Sequence, residues 1–255
     1  MTDQAAARTV DDGVARIAWR PGEPIDNVRR EVARALVDHH RVEAHVDPHD
    51  ADGQRTATWA GMQREGVMRG VSVSGEPEDR IVYARLASDR PVDEPGAFRA
   101  LLNSFLPRKR AISQLLVRRT GGDQPRVLLC QLTYKTDWDL PGGVVEVGES
   151  PQTAVVREVA EELALELPAE RLLLTDWLPP WGGWDDALCL VFDGGEHPAS
   201  LLDGVVKQAR EIRSAQFCTL EQVDERCADF TARRIRAALA AVDSGGSAYT
   251  ESGRG

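Results

Sequence analysis

Cysteine is scarce, aromatic residues make up only 5%, and no long apolar run occurs in this chain of 255 residues. The four cysteines, Cys130, Cys189, Cys218 and Cys227, show no CxxC spacing and sit among apolar or helical residues. That argues against a disulfide framework and against a zinc site, so reduced thiols and a cytoplasmic location are expected. No uninterrupted apolar stretch approaches the ~18 residues of a membrane-spanning helix, and no membrane contact is expected. The amino-terminal run MTDQAAARTVDD has no basic segment followed by an apolar one, so it does not read as a secretory signal. Basic side chains are in deficit: 31 Lys and Arg face 41 Asp and Glu, for a net charge of −10. This balance argues against a nucleic-acid footprint, and an anionic small molecule needs a cation to bridge it to such a surface. What is present, 42% hydrophobic and 28% charged residues, is the composition of a globular chain with a packed core.

Residues 1–13 are small and polar and read as a flexible terminus. Val14–Trp19 alternates as a strand, and Asp26 is placed to cap a helix running to about His40, with Val28, Val32, Ala35 and Leu36 on one face. Arg41–Val46 alternates again, and a short helix is expected over about Gln54–Gln63. Strands follow at Val67–Ser74 and Arg80–Ala87. Residues 91–106, rich in Pro, Gly and acidic side chains at the start, read as a linker that ends in a helix over Ala97–Leu106. A second unit, 107–242, opens with two apolar strands, Ala111–Arg119 and Arg126–Thr133, around the turn Thr120-Gly121-Gly122-Asp123. Strands are expected at Leu172–Leu178, Ala187–Phe192 and Glu211–Cys218. Thr219 and Gln222 form a capping box for a helical region ending near Val242. The tail 243–255 (DSGGSAYTESGRG) has no periodicity and reads as disordered.

The chemistry concentrates in GVVEVGESPQTAVVREVAEELAL, Gly143–Leu165. Ser150 is a good helix N-cap and Pro151 suits the first turn. Val155, Val159 and Leu163 then face a core, while Glu158, Glu161 and Glu162 fall at i, i+3 and i+4 on another face. Three carboxylates so close repel one another unless a cation sits among them, and hard oxygen donors suit Mg²⁺ or Mn²⁺. Arg157 and Glu149 can form an ion pair that holds the preceding loop against the helix. The spacing of Gly143, Glu149, Arg157-Glu158-Val159 and Glu161-Glu162, preceded by Leu140-Pro141-Gly142, resembles the Nudix box of the Nudix hydrolases. One position departs: Ala164 stands where the family usually has Gly, at a cost of about 1 kcal/mol if φ is positive there.

The resemblance implies an α/β/α sandwich with a mixed sheet. It implies that Glu158, Glu161 and Glu162 bind the metal with help from the Gly142 carbonyl, and that Arg157 and Glu149 position them. The reaction implied is attack of water on a diphosphate joined to another group. The general base is open among Glu211, Asp185 and Asp186, besides Glu158 itself. For the substrate, Trp181 and Trp184 in WLPPWGGWDD can stack on a flat ring, with Trp138 and Tyr134 as further candidates at the entrance. Pro180, 15 residues past Leu165, resembles a feature of the ADP-ribose pyrophosphatase branch. ADP-ribose or a nucleotide sugar is therefore the favoured substrate class. A nucleotide sensor without turnover is the alternative, and a second copy of the chain is a candidate partner.

In the first unit, HRVEA (His40–Ala44), Ala60-Gly61-Met62, Glu65–Gly70 and Val82–Leu86 are similar to the C-terminal half of GNAT N-acetyltransferases. The likeness spans 14–90 and implies a partial α/β unit. Where that family offers a Gly-rich pyrophosphate loop, this chain has Arg20-Pro21-Gly22-Glu23-Pro24-Ile25. Two prolines lack N–H donors and Glu23 repels a diphosphate, so a non-catalytic unit is expected. His39, His40, His45 and His49 lie near Asp47, Asp50 and Asp52, in no metal-ligand spacing, and read as packed or solvated.

Overall fold

The computed structural model describes residues 5–73, 75–122 and 124–255. Residues 1–4 of the expected flexible terminus, Ser74 at the end of an expected strand, and Asp123 of the expected turn lie outside these. The chain divides into two compact units, Met1–Pro107 and Arg108–Gly255.

In the first unit, β1 (Ala6–Asp11) and β2 (Val14–Ala18) form an antiparallel hairpin, and α1 (Ile25–Ala35) leads to β3 (Arg41–Val46), parallel to β2. Then come α2 (Ala51–Trp59), the antiparallel pair β4 (Gln63–Val73) and β5 (Glu76–Leu86), and α3 (Ala97–Phe105). The sheet order is β1-β2-β3-β5-β4. Strict alternation on β3 turns Val42, Ala44 and Val46 inward, against Val28, Val32 and Ala35 of α1. Five expectations change. The terminus is not loose from residue 6: β1 pairs with β2, and the Ala7 N–H donates to Glu31 Oε1 at 3.0 Å. Backbone pairing of this kind leaves no apolar periodicity to read. The α1 N-cap is Pro24, with no side-chain cap, and Asp26 stands within the first turn. The helix ends at Ala35, where the His39 ring meets the Ala35 carbonyl at 2.9 Å and Val37 is exposed. Helix α2 starts earlier than expected because the Asp50 carboxylate caps the Gly53 N–H at 2.9 Å. Finally, α3 is no free linker: Leu101 is buried, and Ser104 Oγ accepts from the Arg64 N–H on β4.

The second unit runs β6 (Arg110–Arg119), β7 (Arg126–Leu132), β8 (Trp138–Asp139), β9 (Gly142–Val144), α4 (Pro151–Leu163), β10 (Leu172–Leu178) and β11 (Ala187–His197). A 3₁₀ turn (Ala199–Gly204), β12 (Ile212–Thr219), α5 (Leu220–Arg226), α6 (Asp229–Ser244) and β13 (Ala248–Glu251) complete it. The sheet order is β12-β7-β6-β11-β10-β13, mixed because β6–β11 and β10–β13 are parallel. Leu115 and Val117 pack under Val155, Val159 and Leu163 of α4, while Leu116 packs with Ile235 and Ala238 of α6. Burial on both faces explains why β6 reads as a continuous apolar run. This is the expected α/β/α sandwich.

Two expectations change here also. The terminal helical region breaks at Cys227-Ala228 into α5, started by the Thr219–Gln222 capping box, and α6. The tail expected to be disordered forms β13 on the edge of β10, with Thr250 buried. Strands β6 and β7 pair only at Arg118↔Val127 and then diverge. The gap is filled by β9 on β6 (Gln114↔Gly142) and β8 on β7 (Cys130↔Asp139), so Leu140-Pro141-Gly142 is a wedge inside the sheet. Among the described residues no helix is long and apolar enough to cross a membrane.

Candidate active site

Helix α4 starts where Ser150 Oγ accepts the Thr153 N–H at 3.1 Å, with Pro151 at its first position. It is tied to the sheet by Ser113 Oγ, which donates to the Pro151 carbonyl at 2.6 Å. It ends at Ala164 in the left-handed region, φ 55 and ψ 31. This is the conformation that glycine adopts without strain.

The apolar stripe of α4 points into the core and brings the acidic face against the wedge. Glu162 is 5% exposed, and its Oε2 accepts the Gly142 N–H at 3.1 Å. Burial, then the nearby Glu158, Glu211 and Asp139, push its carboxyl up to about 8, against the pull of that N–H. Burial also raises Glu158, although Arg157 opposes it. Glu161 is more open, with 60% of its side chain exposed. Gly142 is a steric requirement of the backbone, whereas a side chain at Gly143 would push the Glu158 carboxylate aside. A Cβ on Gly142 would stand 2.2 Å from the Ser113 carbonyl oxygen, and one on Gly143 would stand 2.5–2.7 Å from the Glu158 carboxylate.

Arg157 gathers the cluster. Its Nε and Nη2 donate to the two Glu149 oxygens at 2.9 and 3.0 Å, and Nη1 donates to Glu158 Oε1 at 3.0 Å and Glu161 Oε2 at 3.1 Å. The two-pronged contact with Glu149 raises the guanidinium and lowers Glu149. One guanidinium thus serves Glu149, Glu158 and Glu161, while Glu162 and the neighbouring Glu211 have no cation of their own among these contacts. Hard oxygen donors with excess negative charge fit a divalent cation. As they stand, among the described residues no three His, Cys, Asp or Glu side chains converge on one point to hold an ion. Arg157 lies between Glu158 and Glu161 instead.

The other expected residues separate into two groups. Glu211 joins the cluster, near enough for its charge to raise Glu158 and Glu162; on its segment the Gln208 N–H donates to the Glu162 carbonyl at 2.9 Å, and the Thr133 N–H donates to the Glu211 carbonyl at 2.9 Å. Tyr134 is exposed, and partial desolvation raises its phenol, with Glu162, Asp139 and Glu211 adding to that and Lys135 opposing it. Asp186 is committed elsewhere, to an ion pair with Lys109 that lowers its carboxyl, and to Trp177 Nε1. Asp185 is exposed, and its carbonyl accepts from Arg110.

Trp181 and Trp184 exchange backbone hydrogen bonds at 3.1 and 2.9 Å around Gly182-Gly183, just past the exposed Pro180. Both rings are exposed; Arg110 lies 4.5 Å over Trp184, and Phe230 meets Trp181 edge-on at 5.8 Å. This hairpin sits beside Arg110, at the start of β6, about 7–13 Å along the strand from the wedge pairs Ile112–Gln114. Trp138 is half-buried, with Arg226 4.7 Å over its ring. Sequence reasoning missed Asp139 and Lys135, paired at 2.8 Å beside the cluster, and Gln114. For Asp139 and Lys135 the only signal was nearness to Leu140-Pro141-Gly142, and for Gln114 it was a polar side chain within the apolar run of β6. The histidines stay apart from any such cluster; His45 meets Glu43 at 3.2 Å, and burial lowers its imidazole.

A model of the NUDIX domain matches residues 107–239. A MutT-like protein of Streptomyces ambofaciens is 30% identical over 129 residues, 51% of this chain and 75% of that relative. Among solved structures, the MutT protein from Methanosarcina mazei Go1 is 21% identical, covers 56% of this chain and 99% of its own, and gives a TM-score of 0.44. The NUDIX domain of Shewanella oneidensis NrtR, complexed with ADP ribose, is 18% identical over 54% of this chain and 90% of its own, with a TM-score of 0.46.

Proposed function

This chain belongs to the NUDIX domain family and is a Nudix-type pyrophosphohydrolase, and we propose that it hydrolyses a nucleoside diphosphate linked to a second group. The observation that carries the reading is Glu162, a buried carboxylate aimed at the wedge by the Gly142 N–H and crowded by Glu158 and Glu211. Such a group is at ease only when protonated or beside a cation. Glu158, Glu161 and Glu162, with the Gly142 carbonyl, would hold Mg²⁺ or Mn²⁺. When bound, the cation neutralises the diphosphate and makes water a better nucleophile.

The protein's own groups do the rest. Arg157 and Glu149 hold the carboxylates and the preceding loop in place. Glu211 takes the proton from the attacking water as its oxygen bonds to phosphorus and the bridging P–O bond breaks, leaving the electron pair on the departing phosphate. Asp186 is unsuited to that task because its bond to Lys109 engages the carboxylate and weakens it as a proton acceptor. The exposed rings of Trp181 and Trp184, with Pro180 and Tyr134, would receive the base or sugar, which favours ADP-ribose or a nucleotide sugar. Trp138, under Arg226, would support the wedge from behind. For the first unit we keep the reading of a non-catalytic acetyltransferase-like half. Its support is the sheet order β1-β2-β3-β5-β4 with α1 and α2, and the donor-poor turn at Pro21 and Pro24.

The test is product release from ADP-ribose, nucleotide sugars, NADH and nucleoside triphosphates with added Mg²⁺ or Mn²⁺. Glu161→Gln and Glu162→Gln should each lose at least about tenfold in kcat. Variants as fast as wild type on every substrate would refute the assignment of these carboxylates.

A further inference from the structure

A continuous line of buried polar groups crosses the second unit, from its last strand to the wedge. At one end Asp176 of β10 is fully buried, and its Oδ1 accepts from Thr250 Oγ1 at 2.7 Å and from the Gly253 N–H at 2.8 Å. Its Oδ2 accepts from Arg234 Nε at 2.9 Å. Arg234 Nη1 donates to Gln114 Oε1 at 3.1 Å, and Gln114 Nε2 donates to Asp139 Oδ1 at 2.8 Å. That same oxygen accepts the Leu140 N–H at 2.9 Å, and Lys135 Nζ holds the other at 2.8 Å. Two residues further on is Gly142, whose N–H holds Glu162.

Stability alone does not account for this arrangement. A buried guanidinium is costly to desolvate, apolar residues of similar volume often do as well, and Arg234 Nη2 is buried with no partner among the described residues. What the line does supply is direction. A guanidinium only donates and a carboxylate only accepts, so the Gln114 amide between them can face only one way: oxygen to Arg234, nitrogen to Asp139. The wedge needs such fixing because β8 and β9 have two and three residues, with few ladder bonds of their own.

We propose that Gln114 and Arg234 are positioning residues for hydrolysis: through Asp139 they set the place of Leu140–Gly142, and through Gly142 the aim of the Glu162 carboxylate. This rests on reading the α4 acid cluster as the active site.

The decisive perturbation is Gln114→Glu, which keeps the acceptor for Arg234 but sets two carboxylates against each other at Asp139. We expect kcat to fall at least about tenfold with KM changed by no more than about twofold. Gln114→Met removes both amide bonds at similar volume, adds no charge, and should lower kcat in the same way. Asp139→Ala breaks the line at its more exposed end, serves if the buried carboxylate prevents folding, and should show the same kcat loss. Cys189→Ala removes the other partner of Gln114 Oε1 and should leave kcat unchanged. A readout independent of turnover is amide exchange of Leu140 and Gly142. At Gly142 it should speed up at least about tenfold in Gln114→Glu, Gln114→Met and Asp139→Ala. Wild-type exchange at Gly142 in these variants overturns the proposal whatever the activity. If wild type cleaves no diphosphate while exchange follows this pattern, the hydrolase reading fails and the positioning line stands.

Discussion

Replacing Glu162 by Gln should flatten the pH dependence of stability in the metal-free protein. The carboxyl is buried and raised from an ordinary value of 4.5 to about 8, chiefly by burial and then by Glu158, Glu211 and Asp139. Below pH 4.5 the group is protonated in both folded and unfolded chains and contributes no difference. Between about 4.5 and 8 the unfolded chain releases its proton while the folded one keeps it, so stability falls as pH rises. Above about 8 the penalty is complete. At about 1.4 kcal/mol for each tenfold change in proton affinity, its ceiling is about 5 kcal/mol, and water penetration makes about 2–3 kcal/mol a realistic size. Gln keeps an oxygen for the Gly142 N–H and carries no charge. Urea unfolding in EDTA at pH 5.5 and pH 9 is the assay. The difference between wild type and Glu162→Gln isolates this group from general repulsion in an acidic chain. Wild type should lose about 1–2 kcal/mol more stability than the variant across this interval, since the part of the penalty between pH 4.5 and 5.5 is already present at the lower pH. Mg²⁺ or Mn²⁺ should restore it chiefly at the alkaline end, where the proton no longer competes. Identical pH dependence in the two proteins would mean that Glu162 is not held in a poorly solvated site, and the argument for a cation there would lose its basis.

Three further outcomes follow from the geometry. Ala164→Gly relieves a left-handed backbone at φ 55 and should stabilise the protein by about 1 kcal/mol in denaturant titration without changing KM. Arg157→Lys keeps the charge but loses the two-pronged hold on Glu149 and the reach to Glu158 and Glu161, so kcat should fall at least about tenfold while circular dichroism stays unchanged. Asp176→Ala strips Arg234 of its buried partner and should cost about 3–5 kcal/mol of unfolding free energy; a loss below about 1 kcal/mol would show that the pair is better solvated than its burial indicates.

Features set by neighbours along the chain were legible before any coordinates. The Ser150 cap, the Pro151 start, the Val155-Val159-Leu163 stripe and the acidic face all sit within one helix, where spacings of three and four residues decide which side chains share a face. The Thr219–Gln222 box is equally local. The strain at Ala164 was legible too, because the family pattern expects glycine there. Boundaries and termini were less legible. Asp50 replaced the expected start of α2, Pro24 took the place of Asp26, and two segments without apolar periodicity became the edge strands β1 and β13.

The order of residues along α4 was enough to put three carboxylates on one side of the helix and to supply the arginine that meets two of them. Which carboxylate would be buried, which acid from a later loop would join it, and what would aim it depended on contacts no short window contains. Gly142 meets Glu162 across 20 residues and Gln114 meets Arg234 across 120. Those pairs exist because β6 and β7 part and admit the wedge between them. Divergence of two strands is a property of how the sheet packs against helices on both faces, so no single segment encodes it.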